Sequence, residues 1–179
     1  MESSRLLDSV KRIHFVGIGG SGMCPLAEIL FHRGFVITGS DTNESDTLER
    51  VRSYGIPVHM GHRAENIGDA QLVVYTAAVK QDNPELIAAR EKGVPTVERS
   101  VLLGMVTDRY RDSIAVSGTH GKTTTTGMIT QLFLSAGRDP SAVIGGKLPF
   151  IGSNGRAGKS ETMVCEACEY VDTFLHLHP

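Results

Sequence analysis

Two glycine-rich turns, GIGGSG at 17–22 and GTHG at 118–121, each follow a short apolar run and each open a helical pattern. A glycine turn that joins a buried strand to a helix is the hinge of a β-α-β unit, in which the strands run parallel and need a helical crossover. Around the first turn the pattern repeats. RIHFVGI (12–18) reads as a buried strand and residues 21–33 as a helix. FVITGSD (35–41) reads as a second strand, and 45–55 as a helix with Ser45 at its cap and Gly55 at its stop. Residues 56–61 form a short third strand and QLVVYTAAV (71–79) a fourth. A helix over 83–93 follows, with Asn83 at the cap and Pro84 in the first turn, and 94–98 is a fifth strand. This alternation predicts an α/β, Rossmann-like, doubly wound parallel sheet.

Residues 99–113 read as a helix running into a polar connector, which puts a domain boundary near 108–112. The expected division is a Rossmann-like domain over 1–110 and a second α/β domain of the P-loop ATPase type over 111–179. In the second, a strand from Ile114 leads through the glycine loop into a helix ending near Ala136. A strand over 142–146, a loop over 147–160 and a strand over 161–167 follow. So few strands suggest the truncated start of a domain.

The net charge of −2 offers no broad attraction to nucleic acid or anionic membrane, so neither is expected as a partner. No apolar run approaches the roughly 20 residues of a membrane span, and the N-terminus lacks the apolar stretch of a secretory signal. Three cysteines, Cys24, Cys165 and Cys168, cannot all pair and suit a reducing compartment. The expected location is cytoplasmic.

In the first loop, Gly17, Gly19 and Gly22 satisfy G-x-G-x-x-G between a strand and a helix. Glycine permits positive φ and close approach of a pyrophosphate, and the helix N-terminus presents free N–H groups. Asp41 ends the second strand near the spacing at which an acidic residue holds a dinucleotide ribose. An NAD-dependent oxidoreductase is one reading, and any nucleotide with a diphosphate and a ribose is another. A third is that Asp41 only caps the turn that follows it.

The second loop, GTHGKTTTT (118–126), carries the Gly-Lys-Thr of a phosphate-binding loop, although Val116 stands where the usual pattern has its first glycine. Its backbone N–H groups can form an anion nest, Lys122 can reach phosphates, and the Thr123 hydroxyl can ligate Mg²⁺. Thr124 to Thr126 are poor helix formers, a local conflict more easily accepted at a functional site.

GTHGKTTT resembles the ATP loop of the Mur ligases, amide-forming enzymes of bacterial cell-wall precursor synthesis, whose version is G-T-x-G-K-[ST]. The stretches IHFVGIGGSGM, VITGSD, Gly61-His62, NPE at 83–85 and EACEYVDTFLHLHP are similar to members that join L-alanine to UDP-N-acetylmuramate. A sister member joins a murein tripeptide to the same UDP-sugar, and its first loop has a G-I-C-G-T-x-M character, unlike GIGGSGM here.

The resemblance implies that the first loop holds the UDP-sugar diphosphate and the second holds ATP with Mg²⁺. It implies UDP-sugar contacts at Gly17, Gly19, Gly20, Ser21, Gly22, Ser40, Asp41, His62, Thr76 and Ala77. ATP contacts are implied at Gly118, Thr119, His120, Gly121, Lys122, Thr123 and Thr124. Lys122 and Glu166 would be catalytic, and Thr123 and Glu166 would hold the metal, while Glu169 and Asp172 are open to reading as solvated charges. The Cys165-x-x-Cys168 and His176-x-His178 pairs lack further ligands nearby and are read as incidental.

Overall fold

The computed structural model of the chain describes residues 2–167 and 174–179. A first helix, α1 (Glu2–Ser9), precedes five strands of one parallel sheet: β1 (Arg12–Val16), β2 (Val36–Asp41), β3 (Val58–Met60), β4 (Leu72–Tyr75) and β5 (Thr96–Glu98). Their order is β3-β2-β1-β4-β5. The chain reverses its winding between β1 and β4, and open α/β sheets place ligands outside the carboxyl ends of strands at such a point. β1 lies at the centre, so its residues 13–16 are buried and its sequence is a continuous apolar run apart from His14.

The connecting helices are α2 (Met23–His32), α3 (Asp46–Ser53), α4 (Pro84–Glu91) and α5 (Arg99–Thr107), with a 3-10 turn at Ala64–Ile67. Two start as the sequence dictates. The Ser45 hydroxyl accepts from the Leu48 N–H at 3.2 Å, and the Asn83 side-chain oxygen accepts from the Glu85 N–H at 2.8 Å.

A second sheet of four strands has the order β6-β9-β7-β8. It contains β6 (Asp112–Val116), β7 (Ser141–Leu148), β8 (Ser153–Arg156) and β9 (Thr162–Glu166), with α6 (Lys122–Ser135) packed on it. β6, β9 and β7 are parallel, and β7–β8 is an antiparallel hairpin.

α2 packs against β2, α3 and α5 on one side and against β7 and β8 on the other. Eight of its residues, Met23 to Leu30, are therefore buried, as expected of a helix that is apolar around its circumference. The contact is close: a side chain at Gly155 of β8 would lie 2.5 Å from Pro25. Polar bonds accompany it. Arg50 bridges Glu28 at 2.6 Å and the Gly155 carbonyl at 3.0 Å, the Ala157 N–H donates to Glu28 at 3.2 Å, and the Asn154 amide donates to the Ser21 carbonyl. Tyr110 donates to Ser141 at 2.7 Å where the chain passes from one sheet to the other.

Four local expectations change. α1 is an additional helix, fastened on α5 through the buried Leu7. The fourth strand stops at Tyr75, because a turn closed by Val79 N–H on the Thr76 carbonyl lifts residues 76–79 out of the sheet. The strand expected from Ile114 already starts at Asp112, after α5 ends at Thr107 within the stretch read as a helix running into a connector. The expected loop over 147–160 contains β8, whose Ser-Asn-Gly-Arg sequence has no strand propensity of its own and is held by β7 and α2.

Candidate functional site

The first glycine loop lies on the carboxyl edge of β1, where it is fastened from several sides. Gly17 and Ile18 N–H groups donate to the Ser40 carbonyl at 2.8 and 3.0 Å. Gly17 has φ +80°, a conformation that favours glycine. The Gly19 N–H donates to Asp41 Oδ2 at 2.9 Å, and Thr47 Oγ1 donates to the Gly19 carbonyl. Asp41 Oδ1 also accepts from the Thr42 and Asn43 N–H groups at 2.8 and 3.1 Å. Backbone donors thus take three of the roughly four acceptor positions of the carboxylate.

Above this loop opens a cavity of about 780 Å³. Gly17, Gly19, Gly20, Asp41, His62 and Thr76 of the expected contacts lie on its wall. Ser40 does not: it is fully buried beneath the wall, and its hydroxyl donates to Glu85 Oε2 at 2.7 Å. Ala77 is exposed in the turn after β4, outside the wall, and its neighbours Ala78, Val79 and Lys80 line the cavity instead. Ser21 and Gly22 face the second sheet.

There, a cleft of about 340 Å³ is lined by Gly20, Ser21, Gly22, Thr76 and Arg99 from one side and by Gly145 and Glu166 from the other. The first loop therefore lines two adjoining spaces, one over its own sheet and one shared with the second.

The second glycine loop follows β6. Gly118 and Gly121 have φ +146° and +79°, so both positions favour glycine, and Gly121 caps α6 from the left-handed region. Lys122 Nζ donates to the Gly118 carbonyl at 2.6 Å, curling the side chain over its own loop. Gly118, Thr119, His120, Gly121, Thr123 and Thr124 are exposed. Thr123 and Thr124 line a groove of about 260 Å³ with Gly146 and Lys147.

Register brings Glu166 to this loop: β9 pairs Glu166 with Val116, two residues before Gly118. Its Oε1 accepts from the Gly145 N–H at 2.7 Å, and a side chain at 145 would collide with the carboxylate. Glu166 thus stands at the carboxyl edge of the second sheet, on the wall of the shared cleft.

A buried network beneath the first cavity was not anticipated. Glu85, fully buried at the start of α4, receives Ser40, His62 Nδ1 at 3.0 Å and Asn66 Nδ2 at 2.6 Å. His14 Nε2, also buried, lies 3.6 Å from Glu85 Oε1, while His14 Nδ1 contacts Thr38 Oγ1 at 2.8 Å. Burial pushes the Glu85 pKa up, but the neighbouring His14 ring and the hydrogen bonds from Ser40 and Asn66 outweigh it and hold the carboxyl below the usual range, although His14 Nε2 at 3.6 Å makes no hydrogen bond of its own. The sequence signal was His14, a lone polar residue inside a buried strand, which needs a partner.

Cys165 is buried, and burial with the nearby Glu166 charge pushes its thiol up to about 12. Cys168, Glu169 and Asp172 lie outside the described residues. His178 contacts Asp108 at 3.2 Å. Among the described residues no three His, Cys, Asp or Glu side chains gather as a metal site, and no helix is long and apolar enough to cross a membrane.

Residues 12–111 match the family model described as Mur ligase family, catalytic domain. The chain is 51% identical over its whole length to a UDP-N-acetylmuramate–L-alanine ligase of Acetivibrio thermocellus, spanning 39% of that protein. It is 52% identical over 95% of its length to the ligase of the same name from Legionella pneumophila, spanning 36% of it. Among solved structures, the UDP-N-acetylmuramate-alanine ligase of Thermotoga maritima matches 87% of the chain and 36% of its own length, with a TM-score of 0.81 at 36% identity. A murein peptide ligase from Psychrobacter arcticus matches 94% of the chain and 41% of its own, with a TM-score of 0.84 at 27% identity. The chain thus spans well under half the length of these relatives.

Proposed function

We propose, from the premise that the chain belongs to the Mur ligase family, that its two glycine loops hold the two phosphate-bearing substrates of an amide-forming ligase. Residues 1–110 hold UDP-N-acetylmuramate and residues 111–179 contribute to an ATP site, in an enzyme of the cytoplasm that serves peptidoglycan synthesis. The observation that carries this reading is the shared cleft, in which the first glycine loop faces Glu166 from the edge of the second sheet. A UDP-sugar laid across Gly17–Gly22 would direct its far end into the space that the second loop borders.

In the reaction, a lactyl carboxylate oxygen of UDP-N-acetylmuramate attacks the γ-phosphorus of ATP. The β–γ bridge breaks, ADP leaves and an acyl phosphate forms. The amine of L-alanine then attacks the acyl carbon, inorganic phosphate leaves, and the nitrogen gives up a proton as the amide forms. Two anions must meet, so positioned cations and backbone donors supply most of the catalysis.

Lys122 would swing from the Gly118 carbonyl to the phosphates, and the N–H groups of 118–124 would cradle them. Thr123 and Glu166 are oxygen donors that would hold Mg²⁺, which when bound would neutralise charge on the phosphate. His120, exposed in the loop, would contact the nucleotide.

Two other readings are weaker. Among solved structures the murein peptide ligases match this fold as closely, but at 27% and 30% identity, against 36% for the alanine-adding enzyme. An NAD-dependent oxidoreductase needs Asp41 free for a ribose diol, and Asp41 is occupied by three backbone N–H groups. Calorimetric titration with UDP-N-acetylmuramate, with NADH as comparator, tests the assignment: saturable binding of the UDP-sugar alone is expected, and binding of NADH alone would overturn it.

A further inference from the structure

We propose that Glu85 is a positioning residue which locks His62 in the Nδ1–H tautomer, so that the bare Nε2 accepts a hydrogen bond from a nucleoside hydroxyl or imide N–H in the first cavity. The inference rests on the nucleotide reading of that cavity and adds to it both a residue and a polarity.

The argument is an elimination of protons. An ionised carboxylate only accepts, and Glu85 is surrounded by donors: Ser40 Oγ at 2.7 Å, Asn66 Nδ2 at 2.6 Å and His62 Nδ1 at 3.0 Å. The Nδ1 atom must therefore carry hydrogen. Ser40 leads to the same answer. Its hydroxyl proton is committed to Glu85, so its 3.1 Å contact with His62 Nδ1 leaves Ser40 as the acceptor there. A neutral imidazole with hydrogen on Nδ1 has a lone pair on Nε2. Free imidazole side chains favour the other tautomer, so this state has to be imposed by the surroundings.

The surroundings are built to impose it. Glu85 and Ser40 are fully buried, while His62 is partly exposed and lines the cavity. Asn66 also ties the Gly61 carbonyl at 2.9 Å, which fixes the backbone beside His62. Glu85 sits in the first turn of α4, where the helix N-terminus favours a negative charge.

A bare Nε2 is a poor partner for a diphosphate, whose oxygens only accept. It suits the part of a nucleotide that donates: the ribose hydroxyls or the imide N–H of a uracil-like base. The network thus divides the cavity, with the glycine-loop N–H groups for phosphate and His62 for the nucleoside.

The test is nitrogen-15 NMR of the full 179-residue chain at pH 8, with the His62 signals assigned by their loss in His62→Gln. The Nδ1–H tautomer is expected for His62, with a shift toward Nε2–H in Glu85→Gln and no change in Ser40→Ala. An Nε2–H or doubly protonated His62 in the unmodified chain would overturn the proposal, even if Glu85→Gln fails to fold. A change in Ser40→Ala would also overturn it, by making serine the anchor.

Binding of UDP supplies the second arm. His62→Asn keeps a donor at the Nδ1 position but nothing at Nε2, and should bind UDP about tenfold more weakly, one hydrogen bond's worth, with an unchanged melting temperature. One of N3-methyl-UDP and 2′,3′-dideoxy-UDP should be indifferent to His62→Asn, identifying the donor that is read; full His62 dependence for both would overturn the proposal. If UDP does not bind the unmodified chain, the nucleotide reading of the cavity fails, while the tautomer measurement still judges the role of Glu85.

Discussion

The two glycine loops occupy equivalent positions, each at the carboxyl end of a parallel strand, yet they are held in opposite ways. The first is bonded to β2 through Ser40 and Asp41 and to α3 through Thr47, and it lies above a buried polar network. The second stands exposed, with Lys122 folded onto its own Gly118 carbonyl. The helices differ in the same sense: α2 is buried from Met23 to Leu30, whereas α6 exposes Met128 and Leu132. A loop braced by its surroundings is pre-organised for its ligand. In the proposed ATP site, a lysine bonded to its own loop would have to exchange that bond for phosphate, which would tie its geometry to binding.

The sharpest way to break this contrast is to compare a buried side chain of the first sheet with an exposed one of α6. Phe15→Ala, in the fully buried centre of the first sheet, should destabilise the chain by about 3–5 kcal/mol in urea unfolding. Leu132→Ala, on an exposed face of α6, should change stability by no more than about 0.5 kcal/mol. Equal effects would mean that Leu132 is covered in solution rather than exposed.

The next effect concerns the bracing of the first loop. Asp41→Ala removes the acceptor of three backbone N–H groups and should cost about 1–3 kcal/mol of stability, together with a loss of UDP-sugar affinity. Unchanged hydrogen-exchange protection of the Gly19 amide would show that the brace is dispensable. For the second loop, Lys122→Ala should weaken ATP binding tenfold or more, about 1.4 kcal/mol, and leave UDP-sugar binding intact. Loss of both in calorimetry would sink the division of labour between the loops.

Acid should sharpen the contrast further. The depressed Glu85 carboxyl contributes stability that is complete above the ordinary glutamate range and is lost as pH falls through its lower folded value. The stability gap between the unmodified chain and Glu85→Gln should therefore narrow below that range. Asp139, in the second unit, is raised by burial but held low overall by the Lys159 N–H and by Arg156, so its sign is the same. It is more than one-third exposed, and solvent screening should make the effect of Asp139→Asn smaller. The smallest effect is chemical: Cys24 and Cys165, raised by burial to about 11 and about 12, should resist alkylation at pH 8 until the chain unfolds.

The β-α-β alternation, the caps at Ser45 and Asn83, and the positive-φ glycines of both loops were legible because each rests on local periodicity or on a single residue's conformational range. β8 was not. Its Ser-Asn-Gly-Arg sequence becomes a strand because Gly155 lets Pro25 approach and Asn154 reaches Ser21. Glu85 in the sequence reads as an ordinary first-turn acid, and nothing in NPE announces that His14, Ser40, His62 and Asn66 converge on it from other segments.

What the sequence determined by itself was therefore the parallel α/β class, the two strand-to-helix glycine turns and the family, all carried by short contiguous motifs. Only the tertiary structure decided that the first loop and Glu166 share a cleft, that Asp41 serves the backbone, and that Glu85 meets Ser40, His62 and Asn66. The reason is physical. Helix and turn chemistry is local, whereas satisfying a buried charge requires donors from several segments, and only the packed chain brings them within hydrogen-bonding distance.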